Sequence, residues 1–383
     1  MRALIVTTAY PRFPGDVITP WLTALVQRLK ERGIDVRIFT SSFRGLKSHK
    51  HNGVTVYRFR YAPAFIEDLT HDETAIDRVK KHPFYIILAI FYLIFGCIAI
   101  IRLLLRESFD VLHIQWPVPH IIFGLAGRMV RRFKLISSFH GVEIRWLKRD
   151  LDLFFLPFKM MISRSDVITA NSTHTRNELR PHFDAEIIPL GVGFMPVQHS
   201  TEKDYLLFVG RLVERKGVRY LIKAFASIKD RITDRLVVVG SGSQMIMLKN
   251  LVSELGINDR VDFTGFVSDE ELAELLAGCK IFCLPAIVDQ KGDTEGLGVV
   301  LIEALAHKKP VIASNTGGIP DIIVNNLTGI LVPPGDSQSL ADAMLKLINN
   351  RRLRQRLGTE GERYVRRKFS WSRIIDRVVA IYR

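Results

Sequence analysis

Short apolar runs separated by longer amphipathic segments repeat along almost the whole chain, and that rhythm admits few folds. In the first half the runs are Leu4–Thr8, Val36–Thr40, Val54–Phe59, Val111–Gln115, Leu135–Phe139 and Val167–Ala170. In the second half they are Tyr205–Val209, Leu236–Val239, Val261–Thr264, Ile281–Leu284, Val311–Ala313 and Gly329–Val332. Each has the length of a strand and is nearly continuous in apolar residues, as strands buried on both faces are. Helical patterning fills most of the intervals. Thr19 is expected to cap a helix with Pro20 at its first position, Trp21, Leu22, Leu25, Val26 and Leu29 on one face, and Gly33 at its end. Such alternation predicts an α/β fold with mostly parallel sheets covered by helices.

The rhythm breaks once, in the Gly/Pro/polar stretch from Leu190 to Asp204, and then restarts. Two α/β domains are therefore expected, over 1–190 and 204–370, joined by a linker at 191–203. From Asn349 onward the chain reads as helical and strongly basic. At 383 residues with 48% hydrophobic and 24% charged side chains, it is long enough for two proper cores, which excludes a disordered chain or a disulfide-stapled miniprotein. Its formal net charge of +15 points to an anionic partner: nucleic acid, an acidic membrane surface or a phosphorylated small molecule. Three cysteines, Cys97, Cys279 and Cys283, fit a reducing compartment; Cys279 and Cys283 lie in an apolar run and read as buried thiols rather than zinc ligands. The short apolar start at Met1 reads as a strand, not a signal peptide, so the chain is expected in the cytoplasm.

One stretch stands apart. Phe84 to Ile101 contains 18 residues and no charge, the threshold length for a membrane span. Strands before and after it are expected to share one sheet, which argues against a crossing. We read it as a helix resting on a membrane face, with a fully buried domain helix as the alternative.

Three constellations in the second half point to phosphate and sugar chemistry. Gly210-Arg211 to Lys216-Gly217 follows a strand and opens a helix, placing two cations five positions apart where an open α/β sheet binds ligands. The null is a solvated basic loop. Glu295-Gly296-Leu297-Gly298-Val299 through Glu303 follows another strand. The glycines free a helix start whose N–H groups attract phosphate. If the helix begins early, the two carboxylates lie roughly 12 Å apart, the reach from a sugar across a pyrophosphate to a ribose. For Glu303 the null is a buried ion pair. Gly240-Ser241-Gly242 is a weaker turn near a nucleotide, since Met245 spoils a dinucleotide fingerprint.

Arg211-x4-Lys216, Gly265-Phe266-Val267 through Leu272, Glu295-x7-Glu303, the run from Ala304 to Ile323 and Thr328 to Asp336 together resemble the donor domain of family 4 retaining glycosyltransferases. The first half resembles the family more loosely through Tyr10-Pro11 with Gly15, Asp110 to His113, Ser138 to Gly141, Ala170 to Ser172 and Ile188 to Val192. The resemblance implies the GT-B architecture: two facing Rossmann-like domains, acceptor-side first and donor-binding second, with a C-terminal helix (371–383) returning to the first. It also implies site roles. Arg211 and Lys216 would neutralise a donor diphosphate, Glu303 would hold the ribose, and backbone at Phe266-Val267 would meet the base. Glu295 with Gly296, Leu297, Gly298 and Val299 would hold sugar and phosphates, with Ser241 and Gly242 nearby. His140 would reach the sugar, and Gly15 would let its loop approach the phosphate. His113 reads as a structural strand histidine. Many relatives carry two adjacent glycines where this chain has Gly15-Asp16.

The expected function is thus metal-independent transfer of a sugar from a nucleotide-diphosphate donor, such as a UDP- or GDP-sugar, with retention. No cofactor or metal site is expected. The acceptor is expected to be a glycan or lipid-linked molecule at the cytoplasmic membrane face, in envelope glycan or glycolipid synthesis. The 84–101 helix would touch anionic lipid. Rivals are a sugar-nucleotide epimerase or a phosphorylase of the same fold, a silent scaffold, and a nucleic-acid-binding protein. The last lacks any recognition motif.

Overall fold

A computed structural model describes residues 1–16, 18–71, 75–147, 155–193 and 201–383. The chain divides into two compact units, Met1–Gly191 with Ile374–Arg383, and Val192–Arg373. Of the linker expected at 191–203, residues 194–200 lie outside the described residues.

The first unit is built on an eight-stranded sheet: β1 (Arg2–Val6), β2 (Asp35–Ser41), β3 (His49–His51), β4 (Val54–Phe59), β5 (Val111–Gln115), β6 (Lys134–Phe139), β7 (Val167–Ala170) and β8 (Glu186–Ile187), in the order β3-β4-β2-β1-β5-β6-β7-β8. All neighbours pair in parallel except β3 with β4. The second unit carries β9 (Tyr205–Val209), β10 (Arg235–Val239), β11 (Val261–Gly265), β12 (Ile281–Leu284), β13 (Val311–Ser314) and β14 (Ile330–Val332). These form a parallel sheet in the order β11-β10-β9-β12-β13-β14. Strand order reverses between β1 and β5 in one sheet and between β9 and β12 in the other. At such a point loops diverge to opposite faces and leave a crevice at the strands' carboxyl ends.

Every run expected as a strand is one, and β1 begins and ends two residues earlier than its run. The short β3 and β8 are additions. They lack the apolar signature because β3, His-Lys-His, is an edge strand and β8 is only two residues long.

Two helices differ from expectation in an informative way. The Pro20–Glu31 helix starts where expected, but Thr19 adopts a left-handed backbone (φ 49°) and its hydroxyl caps nothing in the helix. It lies 3.4 Å from the Ala9 carbonyl, so it ties the helix start to the loop after β1. The basic C-terminal stretch is two helices, Arg351–Phe369 and Trp371–Tyr382, broken at Ser370. The second helix supplies Ile374, Ile375 and Val378 as buried residues, and from Ile374 on it belongs to the first unit.

The uncharged stretch forms the helix Phe84–Arg106, which connects β4 to β5 within one sheet. Leu88, Tyr92, Gly96, Ile100 and Leu104 repeat every fourth residue and form its buried stripe. Tyr92 Oη bonds His120 Nε2 at 2.9 Å, and a Cβ at Gly96 would lie 2.4 Å from the Phe123 ring. The helix is therefore packed on the unit along one face, where Tyr85, Ala89, Leu93, Cys97 and Leu103 flank the buried stripe. Phe84, Ile86, Ile87, Ile90, Phe91, Ile94, Phe95 and Ile98 remain 38–52% exposed on the rest of its surface.

Candidate active site

Four loops at the carboxyl ends of the second sheet are stitched together by backbone. The loop after β9 bonds the loop after β10 through Leu212 N to Ser241 O (2.9 Å) and Gln244 N to Leu212 O (2.9 Å). It also bonds the loop after β12 through Ile287 N to Arg215 O (2.9 Å). The loop after β13 joins through Gly318 N to Glu295 O (3.0 Å). Glycine is required at this density. Gly217 has φ 66°, and a Cβ there would stand 1.9 Å from the Pro285 carbonyl oxygen.

This stitching sets the charges. Lys216 Nζ bonds Glu295 Oε2, and Arg215 lies 3.7 Å from the same oxygen while donating to the Thr294 carbonyl at 3.4 Å. Burial alone would raise the Glu295 carboxyl. The adjacent Lys216, the bond it makes, Arg215 and the Gly298 amide together hold it below the usual carboxylate range. Arg211, on the same loop, is exposed and has no side-chain partner among the described residues. The structure thus brings Arg211, Lys216 and Glu295 to the point where the strand order reverses.

The helix after Glu295 begins only at Val299, with Gly298 as its left-handed cap (φ 82°). Glu295 consequently lies in the preceding turn, so the roughly 12 Å helical spacing expected from Glu295 to Glu303 does not apply. Leu297 is buried beneath this turn. Glu303, half-buried on the helix, has no side-chain partner among the described residues, so no ion pair holds it. Desolvation, helped by Asp269, pushes its carboxyl up to about 7. A shift in the register of β10 on β11 places Gly240 N on the Gly265 carbonyl at 2.8 Å, bringing Ser241-Gly242 beside Phe266-Val267. Val267 is half-buried and the Phe266 ring is 83% exposed.

The first unit has its own cluster at carboxyl strand ends. His140, after β6, lies between the rings of Trp21 (4.9 Å between centroids) and Trp116 (4.8 Å). Its Nε2 bonds Gln115 Oε1 at 2.8 Å, and the Gln115 amide nitrogen lies 3.0 Å from His113 Nε2. His113 Nδ1 bonds the Tyr382 hydroxyl at 2.8 Å, so it is a buried structural residue, as expected. Burial pushes both histidines down to about 3, leaving both neutral near pH 7. The His140 loop is pinned by its own N–H to Glu143 (2.8 Å) and by Asn171 Nδ2 to its carbonyl (3.3 Å). Gly15 keeps a left-handed backbone (φ 84°) with open space where a Cβ would point. Asp16 folds back onto Arg12, accepting from its backbone N–H at 3.0 Å and its Nε at 2.7 Å. The missing second glycine is thus absorbed within the loop.

Sequence reasoning missed Gln115, Trp21 and Trp116 as neighbours of His140. His113 and Gln115 are two apart on a strand and share a face, which was a usable signal. Trp21 resembled an ordinary core position.

Family models match this chain over almost all of its length. Residues 21–193 match Glycosyltransferase Family 4, and residues 195–364 match Glycosyl transferases group 1. The chain belongs to glycosyltransferase family 4. As an enzyme of this family it is a glycosyltransferase, and its fold is GT-B. Sucrose-phosphate synthase from Thermosynechococcus elongatus superposes with a TM-score of 0.77, at 22% identity, covering 100% of this chain and 98% of that one. The transferase is 28% identical over 400 residues to N-acetyl-alpha-D-glucosaminyl L-malate synthase of Bacillus anthracis, covering 100% of this chain and 97% of the relative. It is 29% identical over 306 residues to a GDP-mannose-dependent alpha-(1-6)-phosphatidylinositol monomannoside mannosyltransferase of Mycobacterium tuberculosis. That match covers 74% of this chain and 78% of the relative.

Proposed function

We propose that this transferase moves a sugar from a nucleotide-diphosphate donor to a glycan or lipid-linked acceptor at the cytoplasmic face of a membrane, with retention of anomeric configuration. The observation that carries the donor reading is the convergence of Arg211, Lys216 and Glu295 where the second sheet reverses strand order.

In this reading Arg211 and Lys216 receive the diphosphate. As the glycosidic bond breaks, charge grows on the leaving phosphate, and cations already in place stabilise it more in the transition state than in the ground state. The amides from Gly296 to Val299, at the start of a helix, add fixed dipoles to the same end. Glu295 gives up Lys216 to the phosphate and accepts from sugar hydroxyls. Glu303, a carboxylate without a side-chain partner among the described residues, accepts from the ribose, and the backbone at Phe266-Val267 with Ser241-Gly242 lines the base. His140 is proposed to bond a sugar hydroxyl through Nδ1, since Nε2 is committed to Gln115. Gly15 leaves its loop open to a phosphate. These cations replace a divalent ion, and no covalent sugar–carboxylate intermediate is invoked: the acceptor attacks from the face the diphosphate leaves.

The membrane reading is supported by the outer surface of the Phe84–Arg106 helix. Eight of its side chains, about half exposed, stand to gain on the order of 8 kcal/mol before the cost of association. Exposed Lys80, Lys81, Arg102 and Arg106 flank that surface and suit anionic headgroups. The name of the mycobacterial relative specifies a lipid acceptor, and this surface fits a place in envelope glycan or glycolipid synthesis. Three free cysteines are compatible with the reducing side of the membrane.

Thermal stabilisation by UDP, GDP, ADP and their common sugar conjugates, with and without EDTA, tests the donor assignment. A selective shift that survives EDTA and disappears in Arg211→Ala supports it. Near-normal sugar transfer by Arg211→Ala or Lys216→Ala sinks it.

A further inference from the structure

A second basic cluster, which shares only Arg12 with the residues discussed so far, lies at the carboxyl ends of β1, β2 and β4 in the first unit. Arg12, Phe13, Phe43, Arg44, Gly45 and Leu46 line an open cleft of about 530 Å³. The guanidinium carbons of Arg12 and Arg44 lie 5.1 and 5.3 Å from the centre of the Phe43 ring, which orients both planar cations along an aromatic wall.

The two cations differ in their partners. Asp16 engages Arg12, leaving Arg44 with no carboxylate among the described residues. A third guanidinium, Arg58, is buried nearby and donates to the carbonyls of Tyr10 (2.8 Å), Pro11 (2.9 Å) and Ser41 (3.0 Å). Those bonds tie the loop after β1 to the end of β2. Burial, and after it the charge of Arg12, push Arg58 down to about 10. Glu67, fully buried, offers these guanidinium groups no free oxygen. Its carboxylate is consumed by Ser42 Oγ (2.7 Å), the Gly45 amide (3.0 Å), Arg60 Nε (2.6 Å) and the Tyr61 amide (3.1 Å).

The backbone of Arg44 is held on purpose. It is left-handed (φ 47°), a conformation that a non-glycine residue keeps only where its surroundings fix it. Its own N–H donates to the Glu67 carbonyl at 2.8 Å, and the next N–H, that of Gly45, is fixed to the Glu67 carboxylate. A cation held in a left-handed, pinned conformation, facing an open cleft and matched by no carboxylate among the described residues, is preorganised for an anion from outside.

We infer that the Arg12–Arg44 cleft binds an anionic group of the acceptor, a phosphate ester or a carboxylate, and that Phe13, Phe43 and Leu46 pack on the body that carries it. The inference rests on the transferase reading above and narrows its acceptor to anionic molecules. The names of two relatives agree with that class, one specifying L-malate and the other a phosphatidylinositol derivative.

Titration of the full-length protein with glycerol 3-phosphate, with L-malate, and with glycerol as a neutral control tests the site. At least one anion should bind with a Kd below about 1 mM while glycerol does not. Arg44→Gln should weaken that binding tenfold or more, and Arg44→Lys less, since the charge remains. Binding of the stabilising nucleotide should be unchanged in both variants. Vesicles of phosphatidylglycerol distinguish the source. Displacement of the soluble anion indicates a lipid headgroup, and lack of displacement a soluble acceptor; both support the site. The inference is overturned by absence of anion binding at about 10 mM, by equal affinity in Arg44→Gln, or by loss of the anion in Arg211→Ala instead. Failure of every nucleotide to bind, with anion binding intact, would overturn the transferase reading and leave the cleft standing.

Discussion

Lys216 and Glu295, 79 positions apart in sequence, are joined by an ion pair that closes the crevice between the loops after β9 and β12. Two groups expected to meet different parts of one ligand therefore neutralise each other in this structure, while Arg211, on the same loop as Lys216, has no side-chain partner among the described residues. The two cations, equal in the sequence motif, are unequal in the fold.

That inequality predicts different phenotypes for the two alanine variants. Lys216→Ala leaves a largely buried Glu295 carboxylate with the more distant Arg215 and the Gly298 amide, at a cost of about 1–3 kcal/mol of stability. Arg211→Ala removes an exposed, unpartnered side chain and should change stability by less than about 0.5 kcal/mol. Both should lose donor affinity at least tenfold. Chemical denaturation beside nucleotide titration separates the two; equal stability losses would contradict the ion pair's role.

Glu303 makes a prediction about pH. Its folded pKa, about 7, lies above its ordinary value of 4.5, so the folded protein holds a proton that the unfolded chain has released. Stability from this group is present at low pH and is lost as pH rises to about 7. Glu303→Gln should therefore stabilise the protein above pH 7 by roughly 1–2 kcal/mol, a figure reduced for its partial exposure, and have little effect at pH 5. The same variant should weaken nucleotide binding. In the parent, affinity should rise from pH 6 to 8, and a flat profile would exclude Glu303 as the ribose acceptor.

The first unit should respond to acid in the opposite sense. His113 and His140 are held at about 3 and His120 at about 4, all mainly by burial, below the ordinary 6.5. Below pH 6.5 the unfolded chain takes up protons that the folded one refuses, so stability falls progressively as pH drops toward 4. Denaturation midpoints at pH 7, 6 and 5 check this. His113→Gln should make the decline shallower, and an unchanged slope would contradict the assignment.

The Phe84–Arg106 helix offers two classes of substitution with opposite readouts. Ile90→Glu and Ile94→Glu alter the exposed face and should abolish flotation with phosphatidylglycerol vesicles while leaving the melting temperature nearly unchanged. Gly96→Ala drives a methyl into the Phe123 ring, 2.4 Å from its Cζ, and should lower stability by about 1–3 kcal/mol. Flotation of the double glutamate variant like the parent would remove the membrane reading.

All strands but β3 and β8 were legible because their apolar runs are short and bounded, and the reversal at β9 and β12 follows once those strands are ordered. The orientation of the uncharged helix was not. Leu88, Tyr92, Gly96, Ile100 and Leu104 form the buried stripe, but Ile90, Ile94 and Ile98 are as apolar, so composition cannot tell the packed side from the exposed one. The partners of His140 were hidden for another reason. Gln115 on β5 reaches His140 at the end of β6, a proximity that only strand pairing creates. Arg211, Lys216, Glu295 and Glu303 could be named from the sequence, but which of them pair and which stand alone depends on how the loops are stitched.

Tyr382, bonded to His113 at the middle of the first sheet, has a consequence for the order of synthesis. Roughly 180 residues separate the two parts of the first unit, so at about 5–20 residues per second the ribosome delivers the closing helix some 10–40 s after the sheet it completes. During that interval His113 lacks its tyrosine and the sheet lacks Ile374, Ile375 and Val378, while the second unit, already whole, is free to fold first.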